Sequence, residues 1–315
     1  MMIKLALAFL LDSVCGDPVW LYHPIRIIGK WISFMEKCLR RCFPAGKRGE
    51  QAAGVFLLIS VVVPSFFLPK GLIYLAEKFH PWAAFILEVF WMYQILAMKC
   101  LKSEALKVYD ALVRHDIAAG RQRLSWLVGR DTANLSEEEI VKATVETVAE
   151  NTTDGVIAPM LFMAIGGAPL GFAYKAVNTL DSMVGYRNDT YRYLGTASAR
   201  TDDAVNFIPA RLSGLLMILA AVFCSYDGAG AWKCFVRDRN RHLSPNSAQT
   251  ESACAGALGI QLGGTHDYFG KPVEKPTLGD EKRKAEPEDI RRANRLMVVT
   301  SVLALILTEV LLKLF

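Results

Sequence analysis

Five stretches of the chain are long, apolar and almost free of charge, and charged segments separate them. A helix that crosses a bilayer needs about 20 mostly apolar residues, and each stretch approaches that length. The pattern predicts a mainly α, polytopic integral membrane protein with about four to five apolar helices and large cytoplasmic helical loops. The predicted apolar segments are residues 51–69, 81–98, 155–174, 206–226 and 296–314.

Two of these segments are interrupted. Glycines and a proline break residues 155–174, and Arg211 lies inside residues 206–226. Irregular backbone at membrane depth is tolerated only where protein or water covers it. Full spans, re-entrant segments and buried helices therefore all stay open for this pair, and with them the side of the membrane on which residues 175–205 lie.

The distribution of Lys and Arg predicts an orientation. Residues 22–50 and 102–154 carry seven each and residues 227–295 carry twelve, whereas the short loop 70–80 carries two. Because cytoplasmic loops are enriched in Lys and Arg, we expect the three basic stretches inside the cell and the short loop outside. We expect a protein of the inner, cell membrane with its active site facing the cytoplasm.

Composition agrees with this mixture of apolar and charged segments. The chain of 315 residues is 52% hydrophobic and 21% charged, which excludes disorder and a collagen-like fibre. A net charge of +5 favours anionic partners, and we expect membrane lipid and phosphates in that role, not nucleic acid. We expect residues 1–315 to form a single membrane-embedded domain, with residues 271–288, which hold three prolines, as a charged surface loop.

Four polar clusters lie beside the apolar segments. The first contains Asp17, His23 and Arg26, held by prolines in a turn. The second contains Glu146 and Glu150, which share a helix face. These two acids approach the carboxyl end of their helix, where negative charge opposes the macrodipole, so a cation or a protonated amine would explain them. Asn151 and Asp154 follow them.

The third cluster mixes amide, carboxylate and cationic groups. Carboxylates beside an amide resemble a site for a hard cation, and guanidinium groups suit phosphate. Its members are Lys175, Asn178, Asp181, Arg187, Arg200, Asp202, Asp203, Asn206 and Arg211. The fourth cluster is a turn and helix start with His242, Ser244 and Asn246, an end that favours anions. No P-loop, GxGxxG, GxSxG or HExxH sequence is present.

Taken together and in this order, the clusters resemble the cobinamide-phosphate synthase family of cobalamin biosynthesis (CobD/CbiB). The resemblance runs from about Leu11 to Leu296. It depends on the strings GDP…HPIR (16–26), VGRDT (128–132), ETVAENTTDGVIAP (146–159), YKAVNTLDSMVGY (174–186), SARTDDAVNFIPARL (198–212) and HLSPNSAQTESACAGALGIQLGG (242–264). Thr201 and the SAQTES segment depart from the expected pattern.

The resemblance implies an integral membrane enzyme that forms an amide with ATP. Adenosylcobyric acid would be joined to (R)-1-aminopropan-2-ol or its O-phosphate, giving adenosylcobinamide or its phosphate. Basic loops suit such anionic substrates, and phosphoryl transfer needs Mg²⁺ and cationic groups. Other enzymes that handle corrinoids are possible partners.

We assign roles as hypotheses on that reaction. Asp181, Asp202 and Asp203 would hold Mg²⁺, and Glu150 or Asp154, with Glu146 beside them, would bind the substrate ammonium and accept its proton. His23 and Arg26 would face a corrinoid or phosphate group. Lys175, Arg187, Arg200 and Arg211 would bind phosphates. A membrane transporter or a scaffold for corrinoid intermediates is the alternative.

Overall fold

The computed structural model describes residues 1–18, 20–186, 188–268 and 271–314, and the side chains of 266–272 are outside that description. Within the described residues, helices account for all regular structure except one two-stranded sheet, which confirms the mainly α prediction. The first six helices are α1 (Met2–Cys15), α2 (Pro24–Cys42), α3 (Lys47–Phe79), α4 (Pro81–Ile95), α5 (Met98–Val113) and α6 (Ile117–Leu124).

The remaining elements follow from Glu137. They are α7 (Glu137–Thr152), a π-helical turn (Thr153–Ile157), α8 (Ala158–Val184), α9 (Thr196–Val205), α10 (Phe207–Phe223), α11 (Gly228–Asp238), α12 (Ser247–Leu258), β1 (Leu262–Tyr268), β2 (Lys271–Leu278) and α13 (Glu288–Leu314).

Four helical runs among the described residues are long and apolar enough to cross a membrane. They are Lys47–Phe79, Pro81–Val113, Glu137–Val184 and Glu288–Leu314, and a fifth exists if the bent pair Thr196–Val205 and Phe207–Phe223 counts as one span. Each predicted apolar segment falls in one of these, so the prediction of four to five apolar helices is confirmed.

The glycines of residues 155–174 do interrupt a helix. Gly166 and Gly167 leave helical geometry inside α8, and Gly167 has a φ of 67°. A Cβ on Gly167 would lie 2.2 Å from Oε1 of Glu88 on α4. Glycine is therefore required here both by the positive φ and by the close approach of a neighbouring helix.

Residues 271–278 correct one prediction. We expected a surface loop over 271–288, but β2 pairs antiparallel with β1, from Leu262 opposite Leu278 to Tyr268 opposite Lys271. The prolines of this stretch suggested a loop, yet proline is tolerated on edge strands, and both strands of a two-stranded sheet are edges. Residues 279–287, which follow the hairpin, contain no helix or strand.

Contacts within the chain group into two compact units, where the sequence led us to expect one domain. The first unit is Met1–Ala97, Ala158–Asn206 and Leu311–Phe315, and the second is Met98–Ile157 and Phe207–Val310. In the first, α3 packs on α2, α4, α8 and α9; in the second, α12 packs on α7, α10, α11 and the hairpin.

Helix α7 begins as its sequence predicts. The hydroxyl of Ser136 accepts from the backbone N–H of Glu139, and the Glu139 carboxylate accepts from the backbone N–H of Ser136 at 2.7 Å. This capping box satisfies the first free N–H groups of the helix. It fixes the start of the helix that carries Glu146 and Glu150.

Candidate functional site

A pocket in the second unit is lined by charged groups from four segments of the chain. It encloses about 440 Å³ of empty space, part of which opens to solvent. The charged lining comes from the loop before α7, from α7 itself, from α12 and from β2. The lining residues are Leu127, Val128, Gly129, Arg130, Glu146, Thr147, Glu150, Asn151, Glu251 and Lys275.

Glu146 is the most firmly held acid of this pocket. Its side chain is buried and forms an ion pair with the buried Arg130. Its Oε1 accepts a hydrogen bond of 2.7 Å from the backbone N–H of Gly263 on β1. A buried carboxylate needs such partners to stay ionised, so Glu146 and Arg130 together contribute no net charge to the pocket.

Glu150 lies one helical turn further along α7 and faces the pocket with Glu146. Its Oε1 accepts a hydrogen bond of 2.7 Å from the hydroxyl of Ser247, the first residue of α12. The side chain of Asn151 donates to the carbonyl of Thr147 at 3.0 Å. Asp154 lies in the π-helical turn and is not among the pocket-lining residues.

Glu251 completes a group of three glutamates. It lies on α12 one turn after Ser247 and is only 6% exposed. Burial, with the negative charges of Glu150 and Glu146 beside it, raises the pKa of its carboxyl well above the ordinary value. Lys275 and Arg130 act in the opposite direction but do not reverse the shift.

The fourth predicted cluster lies within electrostatic range of the same glutamates. Burial and the charge of Lys275 lower the pKa of His242, while Glu150 and Glu146 raise it less. The Nδ1 of His242 accepts from the backbone N–H of Ser244 at 3.1 Å. We conclude that His242 is a neutral imidazole near the pocket at pH 7.

Two other residues of the second unit form a separate pair. Nη1 of Arg211 on α10 donates to Oδ1 of Asn246 at 3.4 Å and to the carbonyl of Phe207 at 2.7 Å. The backbone N–H of Asn246 also donates to the Ser244 hydroxyl at 3.3 Å, within the turn before α12. Neither Arg211 nor Asn246 lines the pocket.

The first predicted cluster is assembled in the first unit. Asp17 and His23 approach to 3.6 Å between Oδ1 and Nε2, and His23 caps α2 by accepting from Ile25 N–H at 3.2 Å. Burial lowers the pKa of His23, Asp17 raises it, and the nearby Lys175 lowers it. Arg26 is exposed, 5.3 Å from the ring of Tyr22.

The third predicted cluster is only partly brought together. The Tyr174 hydroxyl donates to Oδ1 of the buried Asn206 at 2.8 Å, and the Asn206 amide donates to Asp202 at 3.1 Å. Asn178 and Asp181 share a face of α8, and Arg200 is exposed on α9. Arg187 lies outside the described residues.

The carboxylates of the third cluster are the predicted ligands of Mg²⁺. In the described part of the chain, no group of three or more His, Cys, Asp or Glu side chains is placed to hold a metal ion. Asp181, Asp202 and Asp203 are therefore not preorganised as a three-carboxylate site. Mg²⁺ is often held by only one or two carboxylates with substrate phosphates, and such a site stays a prediction.

Sequence reasoning missed three of the charged residues that line the pocket. Arg130 lies in the VGRDT string and Glu251 in the SAQTES segment. Both segments belong to the family resemblance, but neither residue was assigned a role. Lys275 was hidden because its stretch was expected to be a loop. A buried position for an acid in the small-residue helix α12 was the available signal for Glu251.

Comparison with known proteins gives a consistent result. Residues 5–297 match the family described as CobD/Cbib protein. The chain is 51% identical to "Cobalamin biosynthesis protein CobD" of Geobacter metallireducens, over 96% of this chain and 94% of that protein. It is 46% identical to the Clostridium perfringens protein of the same name, over 98% of both. It is 48% identical to "Cobalamin biosynthesis protein CbiB" of Salmonella typhimurium, over 96% of this chain and 94% of that protein. No solved structure matches the chain.

Proposed function

Because the chain belongs to the CobD/Cbib protein family, we propose that it acts in cobalamin biosynthesis as an amide-forming ligase. The reaction would join a propionate carboxylate of adenosylcobyric acid to the amine of (R)-1-aminopropan-2-ol or its O-phosphate. ATP would supply the free energy, and Mg²⁺ would accompany the nucleotide. The products would be adenosylcobinamide or its phosphate.

The convergence of three glutamates with one arginine and one lysine in a single pocket carries this proposal. An amide-forming site must bind an amine that is protonated in water and must remove its protons. It must also attract an anionic partner. Glu150 supplies a carboxylate, and Lys275 supplies a second cation to the lining beside Arg130.

The pocket also limits which substrate enters it. Its cavity volume of about 130 Å³ lies below the roughly 300–1,000 Å³ of drug-sized ligand sites, so it suits a small group such as an amino alcohol. The far larger corrinoid would present only its propionate arm. In this arrangement Glu150 binds the ammonium and Lys275 binds an anionic group of either substrate.

The orientation of the protein is part of the proposal. Four to five apolar helices place it in a membrane, and we propose the inner membrane. Two of the three basic stretches that we expect inside, residues 102–154 and 227–295, include parts of the pocket. The pocket would then face the cytoplasm, where ATP is available.

The test is a reconstituted reaction. Purified protein in detergent is given adenosylcobyric acid, Mg·ATP and either aminopropanol or its phosphate, and the product is followed by mass spectrometry. We expect adenosylcobinamide or its phosphate from the wild-type protein and none from Glu150→Gln. Glu138→Gln, which changes a half-exposed acid on the same helix, is the matched control and should remain active.

One observation favours a second candidate, a transporter. Lys4 and Glu88 form an ion pair of 2.5 Å between α1 and α4, beside the break at Gly167. Charges next to a broken apolar helix are typical of transporter binding sites. Failure to form product with either amine, together with uptake of a corrinoid into proteoliposomes, would replace the ligase proposal with this one.

A further inference from the structure

Glu251 stands out among the three glutamates because its carboxyl has no hydrogen-bond partner in the described residues. Glu146 is held by Arg130 and by Gly263, and Glu150 is held by Ser247. Glu251 is 94% buried and lines the pocket nevertheless. A buried polar group without a partner in the protein is a group available to a ligand.

The charges around Glu251 decide its protonation state. The groups that face it are Glu146 and Glu150 on α7, Lys275 on β2 and Arg130 before α7, with Cys254 one turn along α12 and His242 near the same acids. Two cations, Arg130 and Lys275, stand against the two carboxylates of Glu146 and Glu150 in this lining. An ionised Glu251 would be one negative charge in excess, and burial makes that costly. The free pocket therefore holds Glu251 as a neutral acid.

The arrival of an ammonium group reverses this balance. One positive charge enters a pocket whose fixed charges already cancel, and an opposite charge at short range favours the ionised form of a carboxyl. Glu251 can restore neutrality by losing its proton. The Oε1 of Glu150, by contrast, already accepts the hydroxyl of Ser247.

We propose that Glu251 releases its proton to solvent when a primary ammonium binds in this pocket, and then takes a proton from that ammonium to produce the amine nucleophile. This inference rests on the proposed function, since it concerns the amine substrate of the same site. The substrate class is a primary alkylamine that reaches the pocket protonated.

The protons and electron pairs balance as follows. One N–H bond of the ammonium breaks, an O–H bond forms on Glu251, and the electron pair stays on nitrogen. That pair forms the C–N bond with the activated propionate carbonyl, and the bond from carbon to the leaving oxygen breaks with its pair going to oxygen. The second proton passes from nitrogen to Glu150 and then to water. Glu251 ends the cycle as the neutral acid with which it began.

The contacts explain why Glu251 and not Glu150 takes the first proton. The Oε1 of Glu150 accepts the hydroxyl of Ser247 at 2.7 Å, whereas Glu251 accepts no hydrogen bond among the described residues. The carboxyl of Glu251, which lines the pocket, is therefore available to the proton of a bound ammonium.

Calorimetry of amine binding tests the first half of the proposal. Wild-type protein in detergent at pH 7 is titrated with 1-aminopropan-2-ol, whose ammonium is its only charge, in two buffers of different ionisation enthalpy. We expect release of about one proton per bound amine, because the charge state of one group changes on binding. Glu251→Gln should bind the amine without releasing a proton, and Glu138→Gln should behave as wild type.

The pH dependence of turnover tests the second half. If Glu251 takes the proton from the bound ammonium, Glu251→Gln can use only amine that is already neutral in solution. Its rate should then rise about tenfold per pH unit between pH 7 and 9, while the wild-type rate changes much less. A merely structural role of Glu251 would lower both rates without changing their slopes.

The outcomes distinguish failure of the role of Glu251 from failure of the proposed ligase function. Amine binding to the wild-type protein without proton release overturns the role of Glu251 and leaves the proposed ligase intact. Absence of both amine binding and product overturns the ligase, and the role of Glu251 with it. Absence of proton release from the wild type overturns the role of Glu251 without any variant, and release that persists in Glu251→Gln overturns it too, because the proton then comes from the amine itself.

Discussion

Removal of Arg130 should expose how much of the second unit depends on a single buried ion pair. Arg130 and Glu146 are 8% and 5% exposed, and Arg130→Met would leave the carboxylate of Glu146 buried without its arginine, while the N–H of Gly263 still donates to it. Deleting one member of a buried pair costs about 3–5 kcal/mol, because an uncompensated charge remains.

That cost corresponds to a large shift in melting temperature. For a domain of roughly 150–250 residues, each kcal/mol lowers the Tm by about 2–4 °C, so we expect a drop of roughly 6–20 °C for Arg130→Met. The matched control is Lys142→Met. Lys142 pairs with Glu138 at 2.7 Å on the same helix, but this pair is partly exposed, and such pairs contribute about 0–1 kcal/mol.

The double variant Arg130→Met with Glu146→Gln decides the cause. It removes both charges, and the amide introduced by the second substitution can still accept from Gly263. Because no charge stays buried without a partner, we expect most of the lost stability to return. Melting is followed by intrinsic fluorescence in detergent. A double variant no more stable than Arg130→Met would refute the reasoning, since packing and not charge would then explain the loss.

Three further outcomes are expected. The folded-state pKa of His242 lies below its ordinary value. The unfolded chain therefore binds an extra proton below about pH 6.5. The Tm should fall from pH 7 to 5.5, and the fall should be less steep in His242→Gln. Ser247→Ala removes the hydrogen bond to Glu150, worth about 1.5–3 kcal/mol to a charged group, and should reduce kcat/KM for the amine at least tenfold; unchanged kinetics would contradict the placement of the ammonium. Gly167→Ala combines a positive φ with a contact of 2.2 Å to Oε1 of Glu88 and should lower the Tm by several degrees, whereas Gly71→Ala, with ordinary φ and nothing within 4 Å of the new Cβ, should not; equal effects would contradict both the backbone strain and the close approach.

The fold was predictable from the sequence where it depends on local patterns. Apolar length identified α3, the capping box identified the start of α7, and clustered glycines identified the break in α8. Each of these signals lies within one continuous stretch of the sequence. The hairpin escaped because its strands hold prolines and charges and lack the β-branched run that typifies buried strands.

The pocket was predictable only in part, because its contacts join distant segments. Glu146 and Glu150 were recognised from their shared helix face, but their partners lie 117 and 97 residues away, at Gly263 and Ser247. No local pattern reports such a contact. The predicted Mg²⁺ ligands have the same limit, since their grouping in sequence does not report their distances in space, and the assignment of Asp181, Asp202 and Asp203 stays a prediction.

The hairpin belongs to the site for a reason that its contacts supply. Gly263 gives Glu146 a hydrogen bond besides its ion pair with Arg130, and Lys275 adds a second cation to the pocket lining. A linker would contribute neither. With the hairpin in place, the charged groups of the pocket sum to zero if Glu251 keeps its proton. A bound ammonium then adds one positive charge, which ionisation of Glu251 would neutralise. Binding of the ammonium and its later deprotonation are therefore coupled through Glu251, because burial and the neighbouring carboxylates keep this acid protonated before the amine binds.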